Sequence, residues 1–471
     1  MTFFGRCRGL YILGSLSAAL PGCGSTSPQL ARELHAVETT LAEPVSQEDT
    51  KAASGEFDGT LGGYLAYAYA HSPALRASFE TWRAATFRPD QERRLPEPTI
   101  SYAVFLRSVE TRVGPQRHRF GASQWFPWPT KLRAGSDAAE LEAQAAQRRF
   151  EGHALYIAAD VSAAYWTLWR LHRQAEVLRD EIDVLQSLSE QVRGRLSVGA
   201  AELSDLAQID LMGSQARDRH ASVLERQRVA SIQLVRVLGA PDDTPTPVSR
   251  REPEVAGLAE TPQELRAAAA EHPDVQTLAT LSDAAGQRER QARAERAPSF
   301  GVGVDWILTG EAPANPGPAD SGKDAVALTF SMKVPLWSRA YKAGEAEARA
   351  RGAALRSRAL DARNGVAAQV GERAALVDDA VRRVEFYGST LIPQAETTFE
   401  SVLASFASSR ATVAELLLAE QALLGLRGER FAAQADYGTE LARLERAVGR
   451  PVRTSAPTSP TPKAVSDDEQ R

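Results

Sequence analysis

The residues from which nucleophilic, acid–base or metal chemistry is built are sparse in this chain. Its 471 residues hold two Cys, three Met and seven His. No Cys, His or Met set has metal-ligand spacing, and neither a catalytic cluster nor a phosphate loop occurs. No enzyme, resident metal or cofactor is therefore expected. Sixty acids nearly balance 55 bases, so charge does not point to nucleic acid. One side chain does promise chemistry. Arg6 and Arg8 precede an apolar run from Leu10 to Leu20, and Pro21-Gly22-Cys23 follows. This is the layout of a secretory signal peptide, and Cys after Leu-x-Gly resembles a bacterial lipobox, whose Cys becomes the lipidated first residue. Cys7 then leaves with the signal and Cys23 carries acyl chains such as palmitate, leaving no thiol for a disulfide, metal or nucleophile. Gly24 rather than Asp after Cys23 favours the outer membrane, by resemblance to such lipoproteins. The alternative is a plain signal peptide with an incidental Cys. Trp166 and Trp169 read as helix packing. No run of about 18 apolar residues exists, so a transmembrane helix is not expected.

An internal duplication sets out the elements. His71-Ser-Pro-Ala-Leu75 recurs as Glu271-His-Pro-Asp-Val275, so His71 and His272 do not align. Phe126-Pro127-Trp128 recurs as Val334-Pro335-Leu336, and Arg236-Val-Leu-Gly-Ala-Pro241 as Arg446-Ala-Val-Gly-Arg-Pro451. The offset grows between the first of these matches and the second, which places an insertion at 310–322. Each copy reads helix, two short alternating runs, then a very long helix. The first helical segments are Leu61 to Arg94 and Pro262 to Arg296. Between Pro129 and Pro241 there is no proline, and Leu178, Ile182, Leu185, Leu188 and Val192 recur at helical spacing. Thr130 to Val198 would span about 100 Å. Gly199 breaks it, and Ser204-Asp205 reads as an N-cap restarting a helix. The return leg, Leu206 to Leu238, is about half as long. The legs match if it stacks end to end with Pro262–Arg296, and if Leu61–Arg94 stacks with Leu416–Val448. Pro393 should kink the second long helix.

The alternating runs are strands. Ile100, Tyr102, Val104 and Leu106 alternate with small or polar residues, as do Phe300, Val302, Val304 and Trp306. Val326, Leu328, Phe330, Met332 and Val334 do the same. Each run is about ten residues, the length of a tilted strand crossing a bilayer. Trp125, Trp128 and Trp337 lie where an aromatic girdle belongs; soluble hairpins packed on a helix are the other reading. Four strands cannot close a barrel, since about eight are needed, and an open edge in lipid leaves backbone groups unpaired. Three copies, giving twelve strands, are the natural closure.

Duplicated units of this grammar with a lipobox resemble the TolC-like outer-membrane efflux protein family from about Leu61 to Pro451. The stretches that carry the likeness are His71-Ser-Pro-Ala-Leu75, Leu95-Pro-Glu-Pro-Thr-Ile100, Leu196-Ser-Val-Gly-Ala-Ala-Glu-Leu-Ser-Asp205 and Leu391-Ile-Pro-Gln-Ala395. Trp125-Phe-Pro-Trp-Pro-Thr-Lys-Leu-Arg133 and Leu-Pro-Glu-Pro look most like the heavy-metal and cation efflux branch; Glu97 and Thr130 depart from its usual Asn and Gly. The resemblance implies a mainly α fold with a membrane β-barrel portion: as a homotrimer, a twelve-stranded barrel over a periplasmic α-helical tunnel. It also implies partners, a periplasmic adaptor and an inner-membrane transporter, and export of drugs, metal ions or other solutes across the outer membrane.

The resulting layout is a signal peptide over 1–22, a lipidated linker over 23–58 and a first repeat over 59–240. An equatorial linker over 241–261, a second repeat over 262–451 and a disordered polar tail over 452–471 follow. Strands are expected at about 98–107, 118–127, 298–308 and 325–335, and hairpin tips at about 198–205 and 407–415. At the tips, Gly199, Ser204, Asp205, Arg410 and Glu415 are expected to close the periplasmic end and meet the adaptor. Arg410 would pair with Asp205 between neighbouring hairpins, and a ring of Glu415 would favour cations; ordinary solvated cap and turn residues are the alternative. A type I protein secretion conduit and a tethered coiled-coil lipoprotein scaffold remain as rival functions.

Overall fold

A computed structural model describes residues 32–38, 57–198, 201–313, 317–408 and 410–455. Cys23 and Gly199 lie outside the described residues. The chain is mostly helical with one small antiparallel sheet. In order it forms α1 (Leu61–His71), α2 (Pro73–Thr86), α3 (Arg88–Arg93), β1 (Thr99–Thr111), β2 (Gly114–Phe126), α4 (Pro129–Ser197) and α5 (Leu203–Leu238). The second copy gives α6 (Pro262–Ala267), a 3₁₀ turn (Ala268–Ala270), α7 (Pro273–Ala294), β3 (Ser299–Thr309), β4 (Ala325–Lys333) and α8 (Ser338–Phe386). A π turn (Tyr387–Leu391), α9 (Ile392–Ala407) and α10 (Val413–Val448) close it.

Contacts divide these residues into two units. One holds the sheet (83–143 and 281–353); the other holds the remaining helices and the linker (57–82, 144–280 and 354–455).

In the sheet unit the order is β1-β2-β3-β4, antiparallel throughout. Partner pairs Tyr102↔Phe120, Phe120↔Trp306 and Trp306↔Val326 put the apolar positions of the paired runs on one face. The first hairpin is longer than expected. A register shift between Val104 and Val109 absorbs the break in alternation, and the strands then continue to a tight turn at Arg112-Val113. Gly114, at φ +130°, makes that turn. The inserted loop of the second copy lies over it: Gly310 N–H donates to Pro115 O (2.8 Å) and Gly322 N–H to Val113 O (2.7 Å), and Arg112 pairs with Asp320.

The helical unit corrects the expected first helices. Each is broken at the same repeat position, before Pro73 and before Pro273, because a residue preceding proline is pushed out of the α region; Ser72 sits at ψ 118°. The stacking expectation is corrected too. The αL C-cap of α5, Gly239, lies against Pro73 at the start of α2, and the αL C-cap of α10, Gly449, lies against Pro273 at the start of α7. Each short helix therefore stacks on the N-terminal helix of its own repeat, not of the other. His272 carries the second junction. Its Nδ1 accepts from Asp274 N–H (3.2 Å), which leaves Nε2–H to donate to Arg446 O (3.0 Å), one of the last carbonyls of α10. Pro393 acts through the π turn directly before it: the missing N–H and the crowded carbonyl four residues back are absorbed by widening one turn.

Three apolar clusters fill the helical unit. The first surrounds Tyr64, Leu168, Trp169, Leu234 and Leu238, and the second Leu265, Val370, Val377 and Leu444. The third lies toward the helix tips. The linker is tied to both repeats. Tyr64 donates to Pro247 O (2.7 Å), Tyr437 to Ala256 O (3.2 Å), and Arg450 pairs with buried Glu260 (2.6 Å). No helix of the described residues is long and apolar enough to cross a membrane.

Candidate functional site: a two-faced sheet and the helix tips

The sheet presents two chemically different faces. On the apolar face Ile100, Leu328 and Phe330 are 84%, 61% and 74% exposed, far above what a soluble face of such residues would leave to water. Aromatic side chains gather at two levels of this face. Tyr102, Phe120 and Trp306 make one level, with ring centroids 5.0 and 6.1 Å apart. Phe126 and Phe300 pair at the other, where Trp128 stands 6.4 Å from Phe300. Phe300 and Trp306 are separated by about 20 Å of strand. Trp128 and Trp337 are exposed beyond the strand ends.

Trp125 departs from the girdle expectation. Strand alternation gives the apolar face to Phe126, so Trp125 lies on the other face, opposite Gly301. Its ring stands 3.2 Å from where a Cβ at Gly301 would be, with Lys333 Nζ 4.2 Å from the ring centroid. This second face is small and polar. Arg119 pairs with Asp305 (2.9 Å), Thr329 donates to the same carboxylate (3.1 Å), and Gly121 lies beneath them. A Cβ at Gly121 would come within 2.5 Å of Ser101 Oγ and 2.6 Å of Asp305 Oδ1.

The helix tips form the second candidate. Ser204-Asp205 is not the N-cap: α5 starts at Leu203 with Glu202 as N-cap, and Asp205 accepts from Glu202 N–H (3.3 Å) as the third residue. Ser204 Oγ donates to Glu202 Oε2 (3.1 Å). Glu415 holds the equivalent place on α10, accepting from Thr412 N–H (2.8 Å) while Thr412 Oγ1 accepts from Glu415 N–H (3.2 Å). Those hydrogen bonds hold the Glu415 carboxyl below its ordinary range. Arg410 donates to Ser408 Oγ (3.0 Å), and among the described residues no ion pair joins it to Asp205 within the chain.

Two tip residues had no signal in the sequence. Arg195, near the end of α4, stacks on Phe406 (4.6 Å) and donates to Phe406 O and Ala407 O (both 3.3 Å), satisfying carbonyls at the end of α9. It ties the first hairpin to the second. Arg195→Ala should cost about 1–2 kcal/mol locally and raise amide exchange at residues 401–408 and around Thr412. Unchanged exchange there would show that the clamp does not hold the tips. Above the tips, Glu420 of α10 is 2% exposed, and among the described residues neither of its carboxylate oxygens has a hydrogen-bond partner. Burial, reinforced by the charge of Glu181, pushes its carboxyl up to about 7. Glu181 itself is satisfied by Arg219 (2.6 Å).

Comparison with known proteins follows the same lines. The family model described as outer membrane efflux protein matches residues 66–240. No curated protein sequence matches the chain. Among solved structures, a membrane protein from Pseudomonas aeruginosa aligns with a TM-score of 0.69 at 17% identity, covering 82% of this chain and 93% of its own. CusC aligns at 0.70 and 15% identity over 83% and 92%. VceC, an outer membrane protein of Vibrio cholerae, aligns at 0.66 and 19% over 83% and 96%. At these identities the likeness is one of fold.

Proposed function

We propose that this chain, whose residues 66–240 match the model of the outer membrane efflux protein family, is a member of that family of transport conduits and serves as the outer-membrane channel of a tripartite efflux system. It is a passive path for small solutes, drugs or metal cations, handed on by an inner-membrane pump through a periplasmic adaptor. One observation carries the reading: a four-stranded sheet exposes an apolar face with aromatic residues at two levels, while its other face is glycine-rich and polar. A soluble protein would bury that apolar face, whereas a membrane strand turns it to lipid. Both outer strands of the sheet, β1 and β4, have an open edge, and unpaired backbone groups in hydrocarbon cost several kcal/mol each. Three chains contributing twelve strands remove those edges. Acyl chains on Cys23 anchor each protomer.

The tips close the periplasmic end. Among the described residues of one chain, Asp205 and Arg410 bond only to near neighbours in sequence, which leaves both charges to the hairpin of the next protomer. Glu415, held ionised by its cap, lends the opening a preference for cations. In planar bilayers Asp205→Ala should raise closed-state current several-fold; an unchanged current removes Asp205 from the gate while leaving the channel assignment intact.

A further inference from the structure

The two ends of the sheet differ in charge. At the end that leads into the helices, residues 93–98, 127–133, 293–298 and 334–342 carry eight Lys or Arg and two Glu. At the turn end, residues 107–117 and 310–324 carry four bases and four acids. The antiparallel register brings all four helix-side stretches to one level, as Phe126↔Phe300 and Ser299↔Lys333 show.

Some of these cations are engaged. Lys131 pairs with Glu295 (3.2 Å), and Arg293 with Glu289 and Glu345. Arg133, Arg339 and Lys342 are exposed and make no ion pair among the described residues. Arg339 shares a concavity with Leu336 and Trp337, which are 74% and 75% exposed. An exposed cation, Arg339, directly beside exposed aromatic and aliphatic side chains at the edge of an apolar band, with Arg133 and Lys342 exposed at the same end of the sheet, matches one chemistry. The apolar groups suit acyl chains, and the cations suit the phosphates just beyond them, each cation near an anionic surface contributing to attraction.

We infer that this basic rim binds the headgroups of anionic phospholipids in the leaflet facing the helices, with Arg133, Arg339 and Lys342 as its principal contacts. The inference rests on the membrane reading of the sheet. Charge complementarity chooses the occupant: a zwitterionic surface offers no net attraction to a rim in which Arg133, Arg339 and Lys342 make no ion pair among the described residues. It also predicts salt sensitivity, because exposed pairs are screened within about 10 Å at 0.1 M salt.

The test uses the full-length protein purified in a non-ionic detergent. Its thermal midpoint is followed while phosphatidylglycerol, phosphatidylcholine or inorganic phosphate is added, alongside the triple variant Arg133→Gln, Arg339→Gln, Lys342→Gln. Phosphatidylglycerol should raise the midpoint of the native chain by several degrees, and phosphatidylcholine and phosphate should not. The triple variant should share the lipid-free midpoint and lose most of the increment, and 0.5 M salt should have the same effect on the native chain. Equal increments from both lipids, an equal increment from free phosphate, or a full increment in the triple variant each overturn the inference. The failure of the membrane reading looks different: the chain would then remain in the aqueous phase with vesicles of any composition.

Discussion

Gly438→Val should unfold the middle of the helical unit, lowering stability by about 3 kcal/mol or more. Gly438 is on α10, and a Cβ there would clash with the indole of Trp166. That indole cannot withdraw freely. It packs edge-to-face on Tyr165 and on Trp169, with centroids 5.1 and 5.6 Å apart, and Trp169 is fully buried against Phe431. The glycine thus sets how closely α10 approaches α4, and a larger side chain forces the two helices apart. Thermal unfolding and near-ultraviolet circular dichroism of the tryptophans would read the effect. Trp166→Ala in the same chain should restore part of the loss, since it removes the atoms that clash. A Gly438→Val protein with the native midpoint would contradict this packing.

Glu420→Gln should stabilise the protein at alkaline pH and leave it unchanged in acid. Burial raises the folded carboxyl from 4.5 to about 7. Below pH 4.5 folded and unfolded chains are both protonated, and no difference arises. Between 4.5 and 7 the unfolded chain ionises while the folded one keeps its proton, so stability falls as pH rises. Above 7 the cost is complete, about 3 kcal/mol per chain at 1.36 kcal/mol per pH unit. Glutamine is nearly isosteric and uncharged, so the variant should unfold about 3 °C higher at pH 8 and at the native temperature at pH 4. An equal shift at both pH values would assign the effect to packing rather than to the buried charge.

The legible parts of this chain are those that periodicity encodes. Val326, Leu328, Phe330 and Met332 announce β4 by strict alternation, and the heptad-like run from Leu178 to Val192 announces α4. The parts that escaped depend on contacts remote in sequence. Which half-helix stacks on which is decided by the αL turns at Gly239 and Gly449 meeting Pro73 and Pro273, and length matching alone allows either pairing. The neighbourhood of Trp125 in sequence points to the girdle, whereas the one-residue alternation of a strand puts it and Phe126 on opposite faces. The first hairpin hid its length because the register shift after Val104 interrupts the alternation. At the tips, Ser204 and Asp205 look like capping residues, and one is: Asp205 caps from the third position because Glu202 takes the first. Arg195 and Glu420 gave no signal, since an Arg or Glu in a long helix ordinarily faces water, and only the second hairpin's approach makes one a clamp and buries the other.

The two-faced sheet should close as a trimer to make a pore. Full-length protein reconstituted into planar lipid bilayers tests it directly. Discrete, uniform conductance steps are expected from material that migrates as a heat-resistant trimer. A protein that inserts no conductance and stays a water-soluble monomer after removal of its lipid anchor would contradict it.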